Sequence, residues 1–399
     1  MKIIITGASG YVGSVLIPEL AKTNHELLLV GRNNQNLKKR YPKLKTCDYS
    51  DIITYAKNFD ILINLAVINN NSNQSLKNFL KVNKNFLLKL VELSKLAKIK
   101  YFFNVGSFHQ LNPNNVTYYA ISKREGTKKI NQITGIKIIN IYMPFVYGKK
   151  WSKKLKILNI IPHYFSKKIF NFISAFYPTV NINKLSNFLN SDFEKYEEKN
   201  IYLYDKKNKN VIYIFFSRLF DIFFSLNVIL IFGWLFILIY FLILLERNGN
   251  PIFVQKRIGK EKKVFNLLKF RTMSQDTIER ATHLINETKV TKFGKFLRFF
   301  KLDELPQIFN ILRNEINFVG PRPSLISQQK LIKQRDNKKI LSIKPGLTGY
   351  SQINHIDMSD VNKLVKFDHY YLINQSLFFD LKIIIRTFLG IGFKDNINK

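Results

Sequence analysis

At 399 residues the chain is long enough for two domains, each with its own core. It carries 63 Lys and Arg against 27 Asp and Glu, a formal net charge of +36, which suits nucleic acid, an anionic membrane surface or phosphorylated substrates. Its single cysteine, Cys47, excludes an intramolecular disulfide and any cysteine-rich metal site.

The chain opens on an apolar strand at residues 2–6 (KIIIT) that runs straight into a glycine-rich turn, and no signal peptide is expected ahead of it. The turn is Gly7-Ala8-Ser9-Gly10-Tyr11-Val12-Gly13, followed by a helical pattern over residues 14–21. Strand, glycine turn and helix in that order form a dinucleotide-binding pattern. Gly7 and Gly10 let the backbone approach a pyrophosphate, Gly13 lets the helix pack on the strand, and the helix N-terminus faces the phosphates. A second strand at residues 26–30 ends at Gly31-Arg32. A carboxylate there would suit the ribose hydroxyl of NAD, whereas Arg32 suits the 2′-phosphate of NADP, so NADP is preferred and NAD kept as the alternative. Asp48, after a third strand, is read either as a partner of the adenine edge or as a turn residue. Residues 61–67 (ILINLAV) form a buried strand whose end, with Ala66, lies beside the cofactor.

A further strand at residues 101–105 leads to Ser107, and Tyr119 and Lys123 follow at a spacing of four, which places both on one face of a helix. That pairing suits carbonyl reduction. The Lys ammonium lowers the phenol pKa and holds the nicotinamide ribose, the Tyr moves a proton to or from the carbonyl oxygen, and a Ser hydroxyl holds that oxygen. Tyr118 lacks a Lys four residues on, and His109 is read as structural. Residues 1–205 resemble the extended short-chain dehydrogenases/reductases, the nucleotide-sugar epimerases, dehydratases and 4-ketoreductases. The segments NVGSFHQ (104–110) and Pro144 to Gly148 carry the likeness in detail. The resemblance implies Ser107, Tyr119 and Lys123 as the catalytic triad. The substrate-binding part left before the next landmark is shorter than this family's usual one.

That landmark is residues 222–245, IFFSLNVILIFGWLFILIYFLILL, 24 residues without a charge and long enough to cross a bilayer. Beyond it, Arg and Lys recur in Gly/Pro-rich loops around one adjacent carboxylate pair, Asp303-Glu304. Lys269, Arg271, Arg298 and Arg322 are candidate phosphate clamps. Pro306 predicts a helix start, so Asp303 and Glu304 read either as an N-cap and first-turn acid or as a phosphorus nucleophile with a Mg²⁺-holding partner, and spacing alone does not decide.

The motifs QKRIG, KFRTM, LDELPQ, VGPRP and KPGLTGY make residues 213–390 closely similar to the bacterial sugar transferases, the monotopic phosphoglycosyl transferases. The resemblance implies transfer of a sugar 1-phosphate from a UDP-sugar to polyprenyl (undecaprenyl) phosphate with release of UMP. It implies Asp303 as the nucleophile, Glu304 as its partner near Mg²⁺, and Asp368 as a further acidic position of the site. It also implies a helix that enters the membrane and returns. The family's helix-breaking proline is absent and Gly233 stands near its place, so a bend is expected between Asn227 and Gly233. Residues 378–388 are amphipathic and are read as interfacial.

The expected architecture is α/β: a Rossmann-type doubly wound parallel sheet over residues 1–205, a linker at 206–217, a re-entrant membrane helix at 218–249, and a small, mainly α transferase domain at 250–399. The expected enzyme is bifunctional. It reduces a UDP-4-keto-6-deoxy-N-acetylhexosamine and loads the product on undecaprenyl phosphate, with both domains at the cytoplasmic face of a bacterial inner membrane and a homodimer left open. Two alternatives keep the transferase and make the first domain either a 4-epimerase or a non-catalytic NAD(P)-binding scaffold. A nucleic-acid binder explains the charge but neither the apolar run nor the carboxylate pair, so no nucleic-acid partner is expected.

Overall fold

The structure is a computed structural model, and it describes residues 1–149, 151, 153–195, 198–246, 249–274 and 290–390. The chain divides into two compact units, residues 1–170 with 178–205, and residues 171–177 with 206–399.

The first unit is built on β1 (Lys2–Thr6), β2 (Glu26–Gly31), β3 (Lys45–Asp48), β4 (Ile61–Asn64), β5 (Tyr101–Ser107), β6 (Lys137–Met143) and β9 (Asn200–Tyr202); β7 (Phe145–Tyr147) and β8 (Thr179–Asn181) pair separately. The seven strands lie in the order β3-β2-β1-β4-β5-β6-β9, and every pairing is parallel. Successive residues of a strand point to opposite faces, and here both sets are apolar. Ile3, Ile5, Leu27, Leu29, Ile61 and Ile63 enter one core, while Ile4, Leu28, Val30, Leu62 and Phe102 enter another. Strands apolar on both faces need cover on both faces, which gives the doubly wound sheet expected from the sequence. Its strand order reverses between β1 and β4, the place where such sheets bind ligands, and the Gly7 turn leaves β1 there.

The second unit begins with one α-helix, Val211–Leu245, of 35 residues and about 52 Å at 1.5 Å per residue. The Asn210 side chain caps it by accepting from the Tyr213 N–H. Two expectations need correction. Residues 211–217 are the first two turns of this helix and not linker, because a capping Asn is followed at once by an apolar run. The bend expected between Asn227 and Gly233 is not a break, since the helix is continuous through both. Unlike proline, Gly233 keeps its N–H for the helical ladder, and Asn227 Nδ2 donates to the Phe223 carbonyl one turn back.

Both flanks of this helix pack on the same domain. On one side, Arg218 donates to the Ile311 and Leu312 carbonyls at 2.7 and 2.8 Å, closing the end of the Gln307–Leu312 helix, and Asp221 accepts from Phe318 N–H. On the other, Phe236 packs on Phe270, and Ile239 and Ile243 join Phe270 and Leu297 in a buried cluster. Between them Leu230 is 83% and Trp234 65% exposed. Only 11% of its most apolar window is buried, which separates it from the core helix of a soluble domain.

The rest of this unit holds β10 (Ile252–Ile258), β11 (Val264–Phe270), β12 (Asn317–Val319), β13 (Ser324–Leu325) and β14 (Gly346–Thr348), arranged as an antiparallel sheet β11-β10-β13 and a parallel pair β12–β14. The helices Lys292–Phe299, Gln329–Asn337, Val361–Asn374 and Leu377–Phe388 complete it.

Candidate functional site

Two clusters of chemically competent side chains stand out, one in each unit. In the first, Gly7 has φ +67°, and a Cβ there would lie 2.6 Å from the Ala66 nitrogen, so only glycine fits where the turn meets the end of β4. Gly10 N–H donates to the Gly7 carbonyl at 2.9 Å, and the helix carrying Gly13 lies close on Ala8. Ser9 and Gly10 are exposed, while Tyr11 and Val12 pack against the core. Asn64 Oδ1 accepts from the Thr6 hydroxyl and from Ala66 N–H, which fixes the strand ends around the turn. Tyr49, not anticipated from the sequence, accepts from Gly7 N–H at 3.2 Å. Arg32 is exposed at the end of β2. Asp48, at the end of β3, accepts from Asn34 N–H at 3.2 Å through Oδ1.

Ser107 ends β5, and the helix Tyr118–Ile130 brings Tyr119 and Lys123 to it. Burial pushes the Tyr119 phenol up, and its hydrogen bond with Ser107 pulls it back. Lys123 is buried on the same helix and donates to the Val105 carbonyl at 2.8 Å. Burial brings Lys123 down to about 8. Tyr118 is 52% exposed, which separates it from Tyr119. His109 packs edge-on against Tyr119. Asn83, a buried residue the sequence did not single out, donates to Ser122 at 3.0 Å from a π-helical turn and steadies the same helix.

In the second unit, Lys301 takes a left-handed conformation, φ 57°, and starts a tight turn over Leu302–Glu304. The following helix is capped at Pro306 without a side-chain bond, so the N-cap role is not taken by either acid. Instead Glu304 Oε1 accepts from Lys269 Nζ at 2.9 Å and from Arg322 Nη2 at 2.8 Å. Burial alone would raise the Glu304 carboxyl, but Arg322 and Lys269 outweigh it and hold the group well below the ordinary range. Asp303 goes the other way. Its own burial raises it and the Glu304 charge adds to that, against Lys269, Arg298 and Lys301. Two adjacent carboxyls are thereby driven apart, the pattern that assigns different tasks to like groups.

Arg298 Nε donates to Thr272 Oγ1 at 2.9 Å and faces Asp303 electrostatically. Arg322 follows a close approach of the backbone after β12 to β14, where a Cβ on Gly346 would lie 2.0 Å from the Gly320 nitrogen. Arg271 donates to the Asn250 carbonyl and stacks over Phe253, away from the pair. Asp368 is buried against Arg335, with Nη2 at 2.6 Å, and its carboxylate is taken up there. Arg335 Nη1 in turn donates to the Arg322 carbonyl at 2.8 Å. Arg335 carried no sequence signal beyond being one more basic residue on a polar helix. Among the described residues no three His, Cys, Asp or Glu come together. Asp303 and Glu304 therefore fit Mg²⁺ only as one or two ligands beside phosphate and water oxygens, a set that Mg²⁺ accepts.

The first unit is thus a doubly wound sheet with a glycine turn at its switch point, and the second a carboxylate pair clamped by cations beside a long apolar helix. Comparison with known proteins follows the same division. Residues 3–169 match the NAD dependent epimerase/dehydratase family and residues 212–394 the bacterial sugar transferases. A sugar transferase of Bacillus subtilis, EpsL, is 38% identical over 140 residues, 35% of this chain and 69% of its own length. The exopolysaccharide production protein ExoY of Rhizobium meliloti is 37% identical, over 43% of this chain and 83% of its own length. A UDP-N-acetylgalactosamine-undecaprenyl-phosphate N-acetylgalactosaminephosphotransferase of Aeromonas hydrophila is 33% identical over 44% of this chain, which spans only 43% of that relative's length. A UDP-glucuronic acid 4-epimerase of Bacillus cereus, solved with NAD, overlaps 52% of this chain and 78% of its own at 16% identity and a TM-score of 0.41. The chain belongs to the bacterial sugar transferase family through its second unit, joined to an NAD dependent epimerase/dehydratase-like first unit.

Proposed function

We propose that the second unit transfers a sugar 1-phosphate from a UDP-sugar to undecaprenyl phosphate. The observation that carries this is Glu304, locked in its ionised form between Lys269 and Arg322, with Asp303 buried beside it. An Asp303 oxygen attacks the sugar-bearing phosphorus, the bond to the bridging oxygen breaks, and UMP leaves with that electron pair. An oxygen of the acceptor phosphate then attacks the same phosphorus and frees Asp303. Lys269, Arg298 and Arg322 offset the phosphoryl charge. Asp303 and Glu304 would hold Mg²⁺ together with the diphosphate, and the ion would supply further charge neutralisation. Relatives named for UDP-N-acetylgalactosamine and UDP-glucose support a UDP-sugar donor. The packing of both flanks of Val211–Leu245 on one domain supports a monotopic enzyme with both units on the cytoplasmic side of the inner membrane.

The first unit, in this proposal, reduces a UDP-4-keto-6-deoxy sugar. A bound nicotinamide would supply hydride to the carbonyl carbon; Tyr119 gives its proton to the carbonyl oxygen, Ser107 holds that oxygen, and Lys123 would hold the cofactor ribose. Arg32 at the end of β2 favours NADPH. The epimerase/dehydratase match favours a second reading, a 4-epimerase that retains NAD⁺, and the nucleotide that copurifies separates the two. UMP release on mixing the purified chain with UDP-sugars, Mg²⁺ and undecaprenyl phosphate tests the transferase, and its survival in Asp303→Ala would refute the nucleophile.

A further inference from the structure

A cavity of about 430 Å³ opens in the second unit, within the roughly 300–1,000 Å³ range of small-ligand pockets. It lies between the first part of the long helix, β12 and the helix Leu377–Phe388. Phe216, Leu219, Phe223, Phe318, Leu381 and Ile384 line it. Its two acids are held by the fold, with Asp221 Oδ2 buried and without a hydrogen-bond partner among the described residues. Asp221 accepts from Phe318 N–H at 2.9 Å, and Asp380 accepts from the Tyr213 and Tyr371 hydroxyls. The surface left for an occupant is almost wholly apolar.

Two observations say what that occupant is. Phe223, Leu219 and Leu381 are 61%, 50% and 45% exposed, so the mouth of the cavity belongs to the same apolar surface that the long helix presents along its length. An apolar surface of that extent faces lipid rather than water. The cavity is also tethered to the carboxylate pair. Phe318 lies four residues before Arg322, so their Cα atoms are at most about 14 Å apart, and the Arg322 side chain spans the remaining gap to Glu304. A lipid whose phosphate sits at this carboxylate pair can bring the first few units of its chain to the cavity, provided that the chain joins the phosphate directly. A polyprenyl phosphate meets that condition, whereas a phospholipid places a glycerol between phosphate and tails.

We infer that this cavity is the subsite for the phosphate-proximal isoprenoid segment of the lipid acceptor. The inference rests on the transferase reading and adds to it where the acceptor chain lies and which residues measure it.

The test uses the full chain in vesicles of phosphatidylethanolamine and phosphatidylglycerol, with an undecaprenyl phosphate analogue carrying a diazirine on its first isoprene units. Photolysis should place adducts on residues 216–223, 318–319 and 377–384. Undecaprenyl phosphate should suppress them, and an equal amount of added phosphatidylglycerol should not. Adducts confined to the exposed stretch around residues 229–234, or equal suppression by both lipids, would overturn the subsite. Leu381→Trp, at the rim, should raise the KM for undecaprenyl phosphate about tenfold with little change in kcat, and an unchanged KM would count equally against it. UMP release by the wild-type chain is read in parallel. Its absence together with specific labelling would overturn the transferase reading and leave the lipid subsite standing.

Discussion

Arg335 Nη1 donates to the backbone carbonyl of Arg322 at 2.8 Å, and that one bond joins a buried ion pair to the carboxylate pair. Asp368 and Arg335 are 1% and 2% exposed, so neither charge is satisfied by water. Substituting Asp368 by Ala leaves a buried guanidinium without its partner, at a cost of roughly 3–5 kcal/mol. The urea midpoint of Asp368→Ala should fall accordingly, and kcat for UMP release should fall with it because Arg322 loses its support. An unchanged midpoint would show that the pair does not hold this part of the fold.

Lys123 gives the first unit a pH limit. Burial lowers its pKa to about 8, so the ammonium that would hold the cofactor ribose is lost as pH rises through that value. The unfolded chain still binds the proton between about 8 and 10.5, so in that window this residue makes stability rise with pH while function falls. Fluorescence titration with NADPH should show affinity declining above about pH 8. A flat profile well beyond that value would remove Lys123 from the binding role.

Tyr119→Phe should lower NADPH oxidation by about 10²–10⁴-fold, the usual range for losing a general acid. UMP release by the same preparation should persist. Tyr118→Phe, at an exposed position, should leave both intact. Equal loss in the two variants would mean that the helix, and not the phenol of Tyr119, is what matters.

Asp380 should make the second unit less stable as pH rises. Burial raises its carboxyl to about 7, the Tyr213 and Tyr371 hydroxyls partly oppose that, and the Asp221 charge adds to it. The folded state therefore holds a proton that the unfolded chain has lost. The stability this contributes is complete below about pH 4 and gone by about pH 7. Thermal melts across that interval should show a falling Tm in the wild type and a flatter one in Asp380→Asn. A Tm that rises over the same interval in proportion to Asp380 ionisation would reverse the sign.

The parallel sheet was legible because its strands are short apolar runs, and the Gly7 turn because only glycine tolerates that backbone. Tyr119 and Lys123 were legible because helical spacing alone puts them on one face, and Asp303-Glu304 because two adjacent acids stood among many cations. What pairs with what was less so. The partner of Asp368 lies 33 residues away on another helix, and no local pattern marks that contact. Arg271 sits two residues beyond Lys269 at the end of the same strand, yet its guanidinium goes to the Asn250 carbonyl. The continuity of the long helix was not legible either: a break was expected from family likeness, and Gly233, unlike proline, keeps its N–H for the helical ladder, so the helix runs on through it.

The central claim is that Asp303 carries the sugar phosphate covalently. Incubating the full chain with its UDP-sugar and Mg²⁺ but no lipid acceptor, then weighing the intact protein by mass spectrometry, tests it most directly. The wild type should carry an adduct of one sugar phosphate, discharged by undecaprenyl phosphate and absent from Asp303→Asn. An adduct that persists in Asp303→Asn, or UMP released with no adduct at any stage, would contradict it.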